Sequence, residues 1–125
     1  MRGVAFWFLV SAVVYVLCGM AFGIYMAAMQ DFTLAPMHGH LNLLGWVSMA
    51  IFAVYYHLVP RAAEMTLARV HFALATLSIW LLVPGIAMAI TGQGEALAKV
   101  GSACALVAML VFLTIVVRSR RSVPA

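Results

Sequence analysis

The sequence has 125 residues, of which 67% are hydrophobic and 8% charged, and its net charge is +4. A soluble domain is about 45–50% apolar and about 25% charged. This composition excludes a soluble domain and a disordered chain. A nucleic-acid-binding domain is also excluded, because the basic residues form no stripe. With a mean hydropathy of +1.15, the chain is predicted to be a membrane protein.

Four apolar stretches follow one another along the chain. They cover residues 4–29, 38–59, 67–90 and 96–117. Each reaches the ~20 residues that a spanning helix needs. Lipid offers the backbone no hydrogen-bond partners, so evenly apolar stretches of this length are predicted to be helices. Pro36 can begin the second helix, and Pro60 ends it. We therefore expect one all-α domain of four transmembrane helices.

The basic residues predict the orientation of these helices. After four crossings the N-terminus, the second loop and the C-terminus lie on one side of the membrane. Six of the seven Lys and Arg residues fall on that side, whereas Lys99 falls on the other. The six are Arg2, Arg61, Arg69, Arg118, Arg120 and Arg121. The positive-inside rule then predicts cytoplasmic termini in a multi-pass protein of the inner (cytoplasmic) membrane.

Two pairs of small residues predict where helices approach closely. Gly19 and Gly23 form a GxxxG pair on the first helix, and Gly101 with Ala105 repeats this spacing on the fourth. Such pairs let backbones approach closely, within a chain or between chains. Packing within the chain is the commoner use, so neither pair alone indicates an oligomer.

Polar side chains at membrane depth are concentrated at the start of the second helix. Residues 38–46 read HGHLNLLGW, so His38, His40 and Asn42 fall within five positions. At 100° per residue the two histidines project about 200° apart. In a regular helix they cannot both ligate one metal ion, but they can serve two sites on opposite sides.

The side of the helix that carries His38 also has room for a cofactor. Asn42 lies ~40° from His38 and can orient its ring, and Gly45, within ~20°, leaves space for a flat group. Trp46 can pack beside such a group. Neutral imidazole is a common ligand of metals and of haem. The structural alternative is that one histidine caps the helix and the other bonds a neighbouring helix. His57 and His71 are expected to be ordinary histidines at the cytoplasmic interface.

The segment 38–46 resembles the H-x-H segment on the tenth helix of heme-copper oxidase subunit I, in the nitric oxide reductase and C-type oxidase branches. In that family one histidine ligates a low-spin haem and the other a high-spin haem. The family subunit is a twelve-helix ring with pseudo-threefold symmetry, and its tenth helix is the second of a four-helix third. The motif here is also on the second of four helices, but no family-type copper site is present.

The resemblance implies a homotrimer, because three copies would rebuild the twelve-helix ring around a closed axis. It implies b-type haem, up to one per protomer near the outer face, bound by His38 of one chain and His40 of its neighbour. Lys99 is the expected partner of the haem propionates. A site of this kind transfers single electrons, for example between the quinone pool or another redox partner and an outer acceptor.

Three other functions remain open. A haem held by one histidine would be five-coordinate and could bind NO or O₂, as a sensor or a reductase. Soft thioether ligands near the histidines would suit copper. The methionines concerned are Met20, Met26, Met29 and Met37. The chain could also be a small structural subunit. Because no nucleophile–base pair is present, any enzymatic activity would be that of a haem-dependent oxidoreductase.

Overall fold

The computed structural model describes residues 1–120 and contains four long helices. They are α1 (Gly3–Met29), α2 (Ala35–Leu58), α3 (Thr66–Ile90) and α4 (Ala96–Ser119). A single helical turn, Pro60–Ala63, lies between α2 and α3. Each long helix has the length and apolar composition to cross a membrane, and the described residues contain no strand. The predicted four-helix membrane architecture is thus confirmed, whereas Arg121 lies outside the described residues.

The start of α2 lies three residues before the predicted one. Proline is favoured in the first turn of a helix, where its missing N–H would have no partner, and Pro36 takes that position. Gln30 ends α1 in the left-handed conformation, with φ at 51°. In the connecting loop Asp31 accepts hydrogen bonds from the hydroxyl and the N–H of Thr33. These bonds lower the pKa of the Asp31 carboxyl.

The middle of α2 is not a regular α-helix. Leu41–Ser48 forms a π-helical segment, in which each N–H bonds the carbonyl five residues earlier. The Ser48 hydroxyl follows the same spacing and donates to the Leu43 carbonyl at 2.9 Å. Segments of this kind are rare and frequently lie at functional sites. This one follows directly after His38 and His40.

Several glycines lie where two helices of the same chain approach each other closely. A Cβ on Gly23 would lie 3.1 Å from the His38 ring, so this residue brings α1 against α2. A Cβ on Gly101 would lie 2.5 Å from the backbone nitrogen of Leu82, and one on Gly85 equally close to that of Ala98. These two glycines bring α3 against α4. The expected within-chain use of Gly19–Gly23 and of Gly101 is therefore confirmed.

All four helices meet in one aromatic cluster. It consists of Phe8 from α1, Phe52 and Tyr56 from α2, His71 from α3 and Phe112 from α4. The ring centre of His71 lies 4.5 Å from that of Phe52, 5.1 Å from that of Phe8 and 5.2 Å from that of Phe112. His71 is fully buried. His71 is therefore a core residue rather than an ordinary surface histidine, whereas His57 is exposed. Their positions at the cytoplasmic interface stay predictions.

The two ends of the described chain lie at the same end of the bundle. Met1 and Arg2 line a cavity together with Glu64. The end of α4 lines a second cavity with Arg61, which follows α2. Both ends of the described residues thus lie beside the α2–α3 connection, as four antiparallel helices require. That this end faces the cytoplasm remains a prediction from the positions of the arginines.

The hydrogen bond inside the aromatic cluster leads to a first testable prediction. The Tyr56 hydroxyl lies 2.9 Å from Nδ1 of His71, whereas Nε2 of His71 has no partner among the described residues. Tyr56→Phe leaves both ring nitrogens unpaired, so we expect the free energy of unfolding to fall by about 1–2 kcal/mol. Tyr56→Phe with His71→Phe removes every polar atom of the pair, and we expect it to recover that loss.

Detergent-solubilised protein titrated with SDS would measure these free energies of unfolding. A double variant that is less stable than Tyr56→Phe alone would contradict the assignment. It would show that His71 stabilises the bundle by something other than its bond to Tyr56.

Candidate functional site

The two histidines at the start of α2 lie in different surroundings. His38 is half-buried against α1, with its ring 6.3 Å from the ring of Phe22, whereas His40 is exposed on the surface of the chain. Both precede the π-helical segment, so they stand on regular α-helical turns. One histidine therefore contacts the chain's own first helix, and the other is presented outward.

The His40 ring is held by its own helix. Its Nδ1 lies 2.8 Å from the carbonyl oxygen of Pro36, four residues earlier. A carbonyl can only accept, so Nδ1 carries the proton of the neutral ring and donates it. The lone pair on Nε2 is then available to a ligand. Histidines that bind metals almost always have one ring nitrogen oriented by such a bond. No atom within 4 Å would contact a Cβ on neighbouring Gly39, so the surface beside His40 is open.

The His38 ring is engaged in a contact between helices. Its Nε2 lies 2.9 Å from the carbonyl oxygen of Gly19 on α1, which requires the proton on Nε2. The Asn42 amide nitrogen donates to the His38 carbonyl at 2.9 Å and lies 3.2 Å from the same Nε2. A neutral Nε2 either donates to Gly19 or accepts from Asn42, because one nitrogen cannot do both. With the proton on Nε2, the Gly19 carbonyl orients the His38 ring, and Asn42 bonds only the backbone carbonyl of His38. The role predicted for Asn42 toward the ring is thus taken by Gly19.

Haem fits the two histidines unequally. His40 suits a haem ligand as it stands, because its bond to Pro36 leaves the Nε2 lone pair of the neutral ring available and its ring is exposed. His38 could offer Nε2 to iron only after giving up its hydrogen bond to Gly19. A neutral hydrogen bond contributes about 1 kcal/mol net, so this exchange is energetically accessible.

The other predicted site residues have partners within the chain. Gly45 is buried against Tyr15, where a Cβ would lie 2.8 Å from the Cβ of Tyr15. The space expected there for a flat group is therefore filled by Tyr15 in a single chain. Trp46 is partly buried and packs against the core. Lys99 forms an exposed ion pair with Glu95 at 3.1 Å. Exposed pairs contribute little, so Lys99 can exchange this partner for another anion.

Some residues of this region could not be identified as site residues from the sequence. The carbonyls of Gly19 and Pro36 hold the two imidazole rings. The GxxxG spacing marked Gly19 as a packing position, and Pro36 lies four residues before His40, but neither signal predicts a carbonyl acceptor. Tyr15 also accepts a hydrogen bond from Trp80 Nε1 at 3.0 Å, which joins α1 to α3.

The methionines of the copper alternative differ in exposure. Met26 is buried, whereas Met20 and Met29 are each 60% exposed. Within residues 1–120 no three side chains of His, Cys, Asp or Glu come together.

No family model, curated protein or solved structure matches this chain. The likeness to heme-copper oxidases therefore rests on residues 38–46 and on the four-helix topology.

Proposed function

We propose that this chain is a membrane b-type haem protein that transfers electrons. His40 of one copy and His38 of a neighbouring copy hold the iron, near the outer face of the membrane. The observation that carries the proposal is the exposed His40 ring, whose Nδ1–H is bound to Pro36. An exposed imidazole on an otherwise apolar helix is costly in lipid and points to a partner or a cofactor.

A ring of three copies accounts for both histidines. In such a ring each junction would receive the outward-facing His40 of one copy and His38 of its neighbour. His38 would reach the iron only by leaving Gly19 on its own α1. Such a junction joins two different surfaces of the chain. Copies joined in this way close into a ring of three when each is rotated by 120° from the last. A haem held by two imidazoles supplies one-electron transfer. The quinone pool or another redox protein is the proposed partner, and Lys99 the proposed contact of the propionates.

A second candidate function is supported by the bond between His38 and Gly19. If that bond persists in the assembled protein, His40 is the single ligand and the iron keeps an open position. Such a site binds NO, O₂ or CO, as a sensor, carrier or reductase does. The two candidates therefore differ in whether the reduced protein binds CO.

The experiment is an absorption spectrum of protein purified in detergent, oxidised and then reduced with dithionite, with and without CO. We expect a Soret band, sharp bands on reduction, no shift with CO, one haem per protomer and the mass of a trimer. A CO-shifted Soret band would favour the second candidate. No Soret band after expression with added haem would overturn both and leave copper binding or a structural role.

A further inference from the structure

A cavity of about 380 Å³ lies at the arginine-rich end of the bundle. The turn after α2 and the end of α4 enclose it, and Arg61 and Arg120 line it from these two sides. Tyr55 and Ser119 line its wall, and Leu58 and Val59 contribute apolar surface. We call this cavity the arginine pocket. None of its residues takes part in the candidate haem site.

The two arginines of the pocket carry uncompensated charge. Both are exposed. Within residues 1–120 the one ion pair joins Lys99 to Glu95, at the opposite end of α4 from the pocket. Two arginines that line one cavity can turn their guanidinium groups toward an anion, and phosphate oxygens match the planar donor geometry of these groups.

Fixed hydroxyl groups complete the polar wall of the pocket. The hydroxyls of Tyr55 and Ser119 lie 2.6 Å apart, and Ser119 donates to the carbonyl of Val116 at 3.3 Å. This chain of bonds ties α2 to α4 directly beside the arginines. Ser119 is buried and Tyr55 half-buried, so the wall is part of the packed fold.

An apolar groove continues from this wall toward the middle of α4. It is lined by Leu106, Met109, Leu110, Phe112, Leu113 and Val116. The Phe112 ring lies 5.2 Å from the ring of Tyr55, so the groove and the pocket share a wall. Val116 precedes Arg120 by one helical turn, about 6 Å along the axis. A charged pocket at the membrane surface beside an apolar groove matches a headgroup with its acyl chain.

We propose that the arginine pocket binds the phosphate of an anionic phospholipid, with one acyl chain along the α4 groove. Basic pockets between transmembrane helices on the cytoplasmic side bind anionic headgroups. A zwitterionic lipid would bring its own cation against Arg61 and Arg120, whereas phosphatidylglycerol brings only the phosphate charge. The groove favours a lipid over free phosphate, because inorganic phosphate has no apolar part to bury.

Native mass spectrometry of the detergent-purified full chain, titrated with phosphatidylglycerol, tests this proposal. We expect one retained lipid per protomer. A direct hydrogen bond contributes about 1 kcal/mol, so R61Q/R120Q, which loses one phosphate contact at each arginine, should bind about thirtyfold more weakly. The matched control is R69Q/R118Q, which removes the same charge from the same end of the bundle. Neither Arg69 nor Arg118 lines the pocket, so this variant should keep the lipid.

Three results would overturn all or part of the lipid proposal. Equal weakening in both double variants, or equal retention of phosphatidylcholine by the unaltered protein, would overturn the proposal. Inorganic phosphate that raises the thermal midpoint as much as phosphatidylglycerol does would overturn the lipid assignment in favour of free phosphate. If R61Q/R120Q does not fold, R120Q is compared with R118Q, and about fivefold weaker binding by R120Q alone is expected.

Discussion

Replacing His40 with alanine is expected to leave the purified protein with at least about tenfold less haem. Loss even of a group that only orients a metal ligand costs about 10–100-fold in affinity, and His40 is the proposed ligand itself. Its Nδ1 is fixed by Pro36 and its ring is exposed, whereas the nearby His38 ring is turned toward Gly19 on α1. The ratio of Soret to protein absorbance would measure the effect.

His57→Ala is the matched control for this prediction. His57 is an exposed histidine on the same helix but at its opposite end. We expect His57→Ala to keep the haem content of the unaltered protein. Equal haem loss in both variants would indicate damage to α2 in general, and full haem content in His40→Ala would contradict the proposed ligand.

His38→Ala distinguishes the shared site from the single-ligand site. If His38 of a neighbouring copy is the second ligand, this variant empties the site or makes the iron five-coordinate, and the reduced protein then binds CO. If His38 only bonds Gly19, haem content and CO response stay as in the unaltered protein. His38→Ala also removes a bond between α1 and α2. Helix content by circular dichroism should therefore accompany the spectra.

Gly101→Ala is expected to lower the free energy of unfolding by about 3 kcal/mol. The added Cβ would lie 2.5 Å from the backbone nitrogen of Leu82, a contact that only a shift of α3 against α4 can relieve. Overpacking of well-packed positions costs about 1–3 kcal/mol. The upper end applies because the obstacle is backbone and no side-chain rotation can relieve it. SDS titration of purified protein, followed by circular dichroism, would measure the change.

Gly39→Ala provides the same chemical change at an open position. A Cβ on Gly39 would contact no atom within 4 Å. The substitution is expected to be neutral or to stabilise α2 by up to about 1 kcal/mol, because alanine is the better helix former. Equal stability of Gly101→Ala and Gly39→Ala would contradict the close α3–α4 contact.

The number of helices was predictable because each apolar stretch exceeds the length that a bilayer requires. The neighbours of each helix were less predictable, since every face of these helices is apolar and lipid is as apolar as leucine. His71 illustrates this point. Counting along α3 placed it near the membrane surface, but the four helices converge at that level and bury it completely. Only tertiary packing determines such a position.

The candidate site was predictable in its residues but not in its contacts. The H-x-H spacing singled out His38 and His40, and the spacing placed Asn42 next to His38, whose backbone carbonyl it bonds. The acceptors of the two rings are backbone carbonyls, which every residue has, so no side-chain pattern marks them. The sequence also did not predict that Tyr15 fills the space at Gly45, because this contact depends on the rotation of α1 against α2.

The π-helical segment Leu41–Ser48 changes the direction in which side chains at the start of α2 project, relative to those at its end. A π-turn accommodates one residue more than an α-turn, so it is equivalent to a one-residue insertion. Deleting one residue there, for example Leu43, would let the helix close as a regular α-helix. His38 and His40 would then keep their facing relative to Phe52, whereas closing the segment as an α-helix without a deletion would swing them about 100° around the axis and take His38 away from Gly19. The direction in which the two histidines project from α2, relative to the aromatic cluster, thus depends on one extra residue in this segment.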